Sequence, residues 1–134
     1  MRGETMKTDH FAVQVADLDA AIEFYTEALG LRLKFKELDQ VHHEAFAFLE
    51  LEGGNLELLQ ALDEENQPVA FERPVIRPPY CPHLALKTED MDQLVATLKQ
   101  KGITIVKGPM EAPVARWIYV RDLDNNVIEF IQWL

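Results

Sequence analysis

The sequence predicts an α+β fold built from two tandem βαβββ modules with pseudo-two-fold symmetry, and three observations predict it. An alternating stretch that opens at His10 is repeated by one that opens at His83. Seven residues later each copy shows an Asp-x-Asp helix start, Asp17-Leu18-Asp19 and Asp90-Met91-Asp92, and a glycine stop follows at Gly30 and Gly102. The spacing holds in register, since 83 − 10 and 90 − 17 both give 73, while 102 − 30, 129 − 57 and 132 − 60 each give 72. One residue is lost within the helix, and a repeat accounts for the ordered agreement of the rest better than chance does.

Each element follows from local pattern. From Lys7 to Val15, Phe11, Val13 and Val15 alternate with His10, Ala12 and Gln14, which reads as a half-buried strand. Leu18, Ala21, Ile22, Tyr25 and Leu29 recur at helical spacing behind a capping Asp17 or Asp19, and Gly30 ends the helix. Leu31, Leu33 and Phe35 alternate with Arg32, Lys34 and Lys36 as a second strand. A third, Glu44 to Leu51, turns through Gly53-Gly54 into a fourth, Asn55 to Ala61. Asp63 to Pro82 holds five of the seven prolines and reads as an irregular surface linker. The second copy then runs as a strand from His83 to Thr88, a helix capped by Asp90 with Met91, Leu94, Val95 and Leu98 on one face, and a strand from Ile103 to Val106. Lys107 to Pro113 reads as a loop, Trp117 to Val120 as a strand, Asp124-Asn125-Asn126 as a turn and Val127 to Leu134 as the last strand. The 134 residues thus divide, within one domain, into module 1 at about 7–62, a linker at about 63–81 and module 2 at about 82–134.

Composition narrows the function. The formal net charge of −10 repels phosphate, which argues against nucleic acid and anionic membranes as partners. Met1 to Thr5 has no apolar leader, no run reaches the length of a membrane span, and the single cysteine, Cys81, fits a reducing compartment, so a cytoplasmic protein is expected.

The repeat also relates His10 to His83 and Glu57 to Glu129, so four groups suited to metal binding occupy equivalent places. A carboxylate among apolar strand neighbours is costly without a partner, and a divalent cation is a good one. Two imidazoles with two carboxylates suit Zn²⁺, Ni²⁺, Co²⁺, Mn²⁺ or Fe²⁺, whereas Ca²⁺ and Mg²⁺ prefer all-oxygen sites. Arg116, Arg121, Lys107 and Arg32 are candidates for holding a substrate tail, and Phe46, Phe48, Trp117 and Tyr119 for lining a pocket. Cys81 reads as a small core or loop residue, and His42-His43 as exposed positions beside a strand start.

From about Thr8 to Leu134 the chain resembles the vicinal oxygen chelate superfamily, which includes glyoxalase I, methylmalonyl-CoA epimerase, fosfomycin-resistance enzymes, extradiol dioxygenases and bleomycin-resistance proteins. The carriers are Asp9 to Val13, Asp19 to Gly30, Asn55 to Leu58, His83 to Leu86 and Asp122 to Glu129. The resemblance implies mixed sheets curled round a metal-binding cleft, ligands at His10, Glu57, His83 and Glu129, a small-molecule substrate and a homodimer. Bacterial glyoxalase I uses His, Glu, His, Glu in that order. This implies a metal-dependent lyase or isomerase acting on a substrate with adjacent oxygens, such as a hemithioacetal of an α-keto aldehyde, through an enediolate, with Glu129 as the base and Glu57 as the second carboxylate. Leu58-Leu59-Gln60-Ala61 stands where glyoxalase I tends to have Asn-Trp-Gly after the glutamate, a departure that bears on glutathione as the thiol. The alternatives are a methylmalonyl-CoA-type epimerase, an extradiol dioxygenase, and a non-enzymatic binder of a drug-like ligand.

Overall fold

The structure, a computed structural model, describes residues 3–134. Met1 and Arg2, which begin the stretch read above as lacking a leader, lie outside them. The first unit runs β1 (His10–Gln14), α1 (Leu18–Glu23), β2 (Arg32–Asp39), β3 (Glu44–Leu51) and β4 (Gly54–Ala61). The second runs β5 (His83–Lys87), α2 (Met91–Gln100), β6 (Ile105–Ala112), β7 (Ala115–Arg121) and β8 (Val127–Trp133). Two open four-stranded sheets result, ordered β1-β4-β3-β2 and β5-β8-β7-β6. In both, the first and last strands of the unit lie parallel and the remaining pairs antiparallel. Two tandem βαβββ modules are therefore present, as the repeat predicts.

The helix starts are built alike. Asp17 accepts the Ala20 N–H at 3.1 Å, and Asp90 accepts the Gln93 N–H at 3.0 Å. A second amide at each start is satisfied from the last strand of the same unit: Gln60 Oε1 accepts from Leu18 N–H and Gln132 Oε1 from Met91 N–H, both at 2.9 Å. First-turn amides have no partner inside a helix, so these glutamines pin helix to sheet.

The helix ends explain the change of register. α1 continues as a π-helical turn over Phe24–Ala28, in which the Leu29 N–H reaches back five residues to the Phe24 carbonyl at 3.3 Å. A π turn takes in one residue more than an α-helix along the same path. Asp17 to Gly30 spans 30 − 17 = 13 positions and Asp90 to Gly102 spans 102 − 90 = 12, yet both paths end on a left-handed glycine, at φ +74° and +72°. The extra residue of the first copy is absorbed in that turn.

Strand alternation sorts the side chains. Leu56 and Leu58 of β4 and Ile128 and Phe130 of β8 join Tyr25, Leu49, Met91, Leu98 and Ile118 in one hydrophobic cluster. The intervening Glu57, Leu59, Glu129 and Ile131 consequently stand on the opposite, less buried faces.

Three expectations are corrected. Lys107 to Pro113 is not a loop, because β6 continues through it to Ala112. The β6–β7 pairing slips between Ile105 and Lys107 and again between Lys107 and Met110, so Gly108-Pro109 bulges without ending the strand, which an edge strand tolerates. Leu33 and Phe35 do not share a face: a register shift between them sets Leu33 against Leu49 and Phe35 against Phe48. Gly54 belongs to β4, and the turn's left-handed residue is Gly53, at φ +83°, matched in the second unit by Asn125 at +64°.

The proline-rich connection is tied down at its middle. Arg73 Nε donates to the Leu123 carbonyl at 2.9 Å, and Asn125 Nδ2 donates to the Pro74 carbonyl at 3.1 Å. Among the described residues no helix is long and apolar enough to cross a membrane.

Candidate metal centre

In the first unit, parallel pairing sets Ala12 beside Glu57. This brings His10 Nε2 to 3.4 Å from Glu57 Oε1, while the other ring nitrogen, Nδ1, lies 2.6 Å from Asp9 Oδ2. The second unit repeats the arrangement, with Ala85 beside Glu129 and His83 Nε2 at 2.9 Å from Glu129 Oε1. Here Nδ1 lies 3.1 Å from the Tyr80 carbonyl, and the exposed Cys81 places its Sγ 3.9 Å away. Cys81 is thus a loop residue, not a core one.

The partners of Nδ1 determine what Nε2 presents. A carbonyl only accepts, so the His83 Nδ1–H donates to Tyr80, and without a second proton on the ring the Nε2 lone pair faces Glu129. Two acceptor atoms 2.9 Å apart repel unless a positive charge serves both, either a proton on the ring or a metal ion. At His10 the Asp9 hydrogen bond raises the ring pKa, partial desolvation opposes it, and the Glu57 charge adds to the rise. His10 is the more open of the two, its side chain 37% exposed against 18% for His83.

Aromatic rings occupy corresponding places. Phe48 pairs across the ladder with Glu57, and its ring centroid lies 5.0 Å from that of His10. Tyr119 pairs with Glu129 and lies 5.4 Å from His83, edge to face. Burial, with the nearby Glu129 charge, raises the Tyr119 pKa and keeps its hydroxyl a neutral donor. Phe46 and Trp117 hold the next equivalent positions, opposite Leu59 and Ile131.

The four expected ligands thus come together as two pairs. Among the described residues no group of three or more His, Cys, Asp or Glu side chains is placed to hold a metal ion, so the two pairs do not meet within one chain. Of the basic candidates, Arg116 lies on the helix side, donating to Asp92 at 3.0 Å with Nε in ion-pair contact with Glu111 at 3.1 Å. Arg121 donates to the Asp122 carbonyl at 3.2 Å, and Arg32 stands 3.8 Å from Glu50. Lys107 is exposed and pairs in register with Tyr119. His42 and His43 sit in the β2–β3 turn, engaged with Asp39 at 2.9 Å and Asn66 at 2.8 Å, away from either pair.

The sequence reading missed three contributors. Asp9 had a signal, a carboxylate adjacent in sequence to the histidine. The Tyr80 carbonyl had none, because any residue supplies one. Phe35 was assigned to the wrong face by strict alternation.

The profile of the Glyoxalase/Bleomycin resistance protein/Dioxygenase superfamily matches residues 7–130. A virulence protein of Salmonella typhimurium is 32% identical over 135 residues, covering 96% of this chain and 85% of its own. A Vibrio cholerae protein named "Probable lactoylglutathione lyase" is 31% identical over 131 residues, covering 92% and 88%. Among solved structures, an antibiotic binding protein of a Streptomyces species superposes with a TM-score of 0.70 at 25% identity, covering 97% of this chain and 98% of that one.

Proposed function

The chain belongs to the glyoxalase/bleomycin resistance protein/dioxygenase superfamily, and from that premise we propose a metal-dependent lyase or isomerase acting on a small substrate with adjacent oxygens, such as the hemithioacetal of an α-keto aldehyde. The observation that carries the reading is the duplicated His–Glu pair, with each Nδ1 engaged from behind and each Nε2 turned toward a carboxylate. Two imidazole nitrogens and two carboxylates fit a divalent transition ion, one of Zn, Ni, Co, Mn or Fe. His10 and Glu57 would hold it from one side, and His83 and Glu129 from the other. With the pairs apart in one chain, the complete site would take one pair from each of two copies, and a homodimer would be the functional unit.

When bound, the ion supplies Lewis-acid polarisation of the two substrate oxygens. Proton movement falls to the chain. Glu129 takes the proton from the substrate carbon and returns it to the neighbouring carbon, and Glu57 serves as the second carboxylate. Asp9 and the Tyr80 carbonyl hold the two rings in orientation, and the neutral Tyr119 hydroxyl beside Glu129 offers a hydrogen bond. The relative named as a lactoylglutathione lyase supports this chemistry.

The test is elemental analysis of protein purified without added metal or chelator, followed by a panel of hemithioacetals made with different thiols. The expected result is one divalent ion per His-Glu-His-Glu set and turnover of at least one member of the panel. A protein that neither carries nor takes up a transition metal refutes the reading. The similarity to an antibiotic binding protein favours a second reading, sequestration without turnover, for which ligand would bind and leave unchanged.

A further inference from the structure

On the open face of the first sheet, Phe35, Phe46 and Phe48 form a continuous aromatic shelf. Phe35 stacks on Phe48 with centroids 4.9 Å apart and planes at 17°, and Phe46 meets both edge-on at 6.3 and 6.1 Å. The shelf leads directly to the first His–Glu pair: Glu57, Phe48 and Phe35 are successive ladder partners across β4, β3 and β2, and Phe48 touches His10. Phe35 is 39% exposed, so one flank of the shelf is open to solvent.

The module architecture does not require this phenylalanine. Tyr119 and Trp117 stand in the second sheet where Phe48 and Phe46 stand in the first, and the counterpart of Phe35 there, the edge-strand partner of Tyr119, is Lys107. Charge around the shelf argues against an anionic occupant. Glu37 pairs with Phe46, Glu44 and Glu50 follow the same alternation along β3, and Arg32 stands against Glu50. Net charge adds to the repulsion of an anionic tail.

We infer that the non-reacting part of the substrate is an aromatic group without negative charge, which lies on the Phe35–Phe46–Phe48 shelf while the adjacent oxygens reach the ion beside His10. This rests on the metal reading above and adds the substrate class to it. Stacking on Phe35 favours a flat ring over an alkyl chain of the same chelating chemistry.

The test compares benzohydroxamate with acetohydroxamate, which share a head of two adjacent oxygens and differ in the ring, by calorimetric titration of the Ni²⁺-loaded protein. Benzohydroxamate should bind about 10-fold more tightly or better, and Phe35→Ala should bring that preference to about 3-fold or less while leaving acetohydroxamate within about 2-fold. Phe35→Tyr, which retains the ring, should restore the preference. Equal affinity of the two probes for the unaltered protein overturns the inference and leaves the metal reading standing. Failure of the protein to take up Ni²⁺ removes the metal reading and the inference with it, whereas a Ni²⁺-loaded protein that binds neither probe overturns the inference alone. Sedimentation of Phe35→Ala completes the test: an unchanged oligomer supports a substrate on the shelf, and dissociation shows that a second copy covers it instead.

Discussion

The Tyr25 hydroxyl donates to Asp122 Oδ2 at 2.7 Å, and this buried bond ties the helix of the first unit to the turn before the Glu129 strand of the second. Tyr25 is 1% and Asp122 2% exposed. Asp122 also accepts the backbone N–H groups of Asp124 and Asn126, both at 2.8 Å, and the Asn126 side chain at 2.9 Å. Four donors around one carboxylate are what allow it to stay buried. Asn126 Nδ2 in turn donates to the Gln14 carbonyl at 2.9 Å, a second tie between the units.

Tyr25→Phe should destabilise the fold by about 1–3 kcal/mol at neutral pH, since it leaves a buried carboxylate oxygen short of a donor. Urea denaturation measures this. The pH dependence has a definite sign. Burial first, then the charge of Asp122, raises the Tyr25 pKa well above that of a free phenol. A raised pKa means a contribution present in full below the unfolded value and lost as pH climbs toward the folded one. The gap between the parent and Tyr25→Phe should therefore be constant from pH 7 to 9 and narrow above about pH 10.

Asp122→Ala should cost more, roughly 3–5 kcal/mol, because it orphans four donors at once, two of them buried and two half-buried. Unfolding midpoints ordered parent, Tyr25→Phe, Asp122→Ala express this directly. The reverse order of the two variants would contradict the accounting of the bonds.

Gly108→Ala and Gly30→Ala separate strain from crowding. Both glycines have positive φ, +109° and +74°, but an added Cβ at Gly108 would meet the Trp117 carbonyl oxygen at 2.9 Å, whereas at Gly30 nothing lies within 4 Å. Gly30→Ala should cost about 1 kcal/mol, and Gly108→Ala about 2–4 kcal/mol with disturbance of the β6–β7 pairing. Denaturation and the near-ultraviolet circular dichroism of Trp117 report on the two effects.

Glu129→Gln should lower turnover of a confirmed substrate by about 10²–10⁴-fold, with the unfolding midpoint near that of the parent, because the amide keeps the shape and loses the base. His83→Ala should instead reduce metal content. A Glu129→Gln protein with full activity would remove Glu129 from the role of base.

The repeat was legible because its carriers are local. The caps at Asp17 and Asp90, the glycine stops and the alternation around His10 and His83 each reside in a few consecutive residues, so their order and equivalence survive without knowledge of contacts. Even the missing residue could be assigned to the helix from spacing, although its accommodation as a π turn depends on packing against the sheet. The reading failed where pairing overrules periodicity. A bulge in β2 moved Phe35 to the open face, and two slips in β6 kept a Gly-Pro segment inside a strand.

By itself the sequence determined the two modules, their element order and the equivalence of His10 with His83 and of Glu57 with Glu129, since all of these follow from short-range pattern and a fixed offset. Tertiary structure decided how those four residues are grouped. Parallel pairing of the first and last strand of each unit draws His10 to Glu57 and His83 to Glu129, while the burial of both helix-facing sheet surfaces in one core leaves the pairs apart. Strand partners and sheet faces are set by contacts between residues distant in the chain, and no spacing along the chain encodes them.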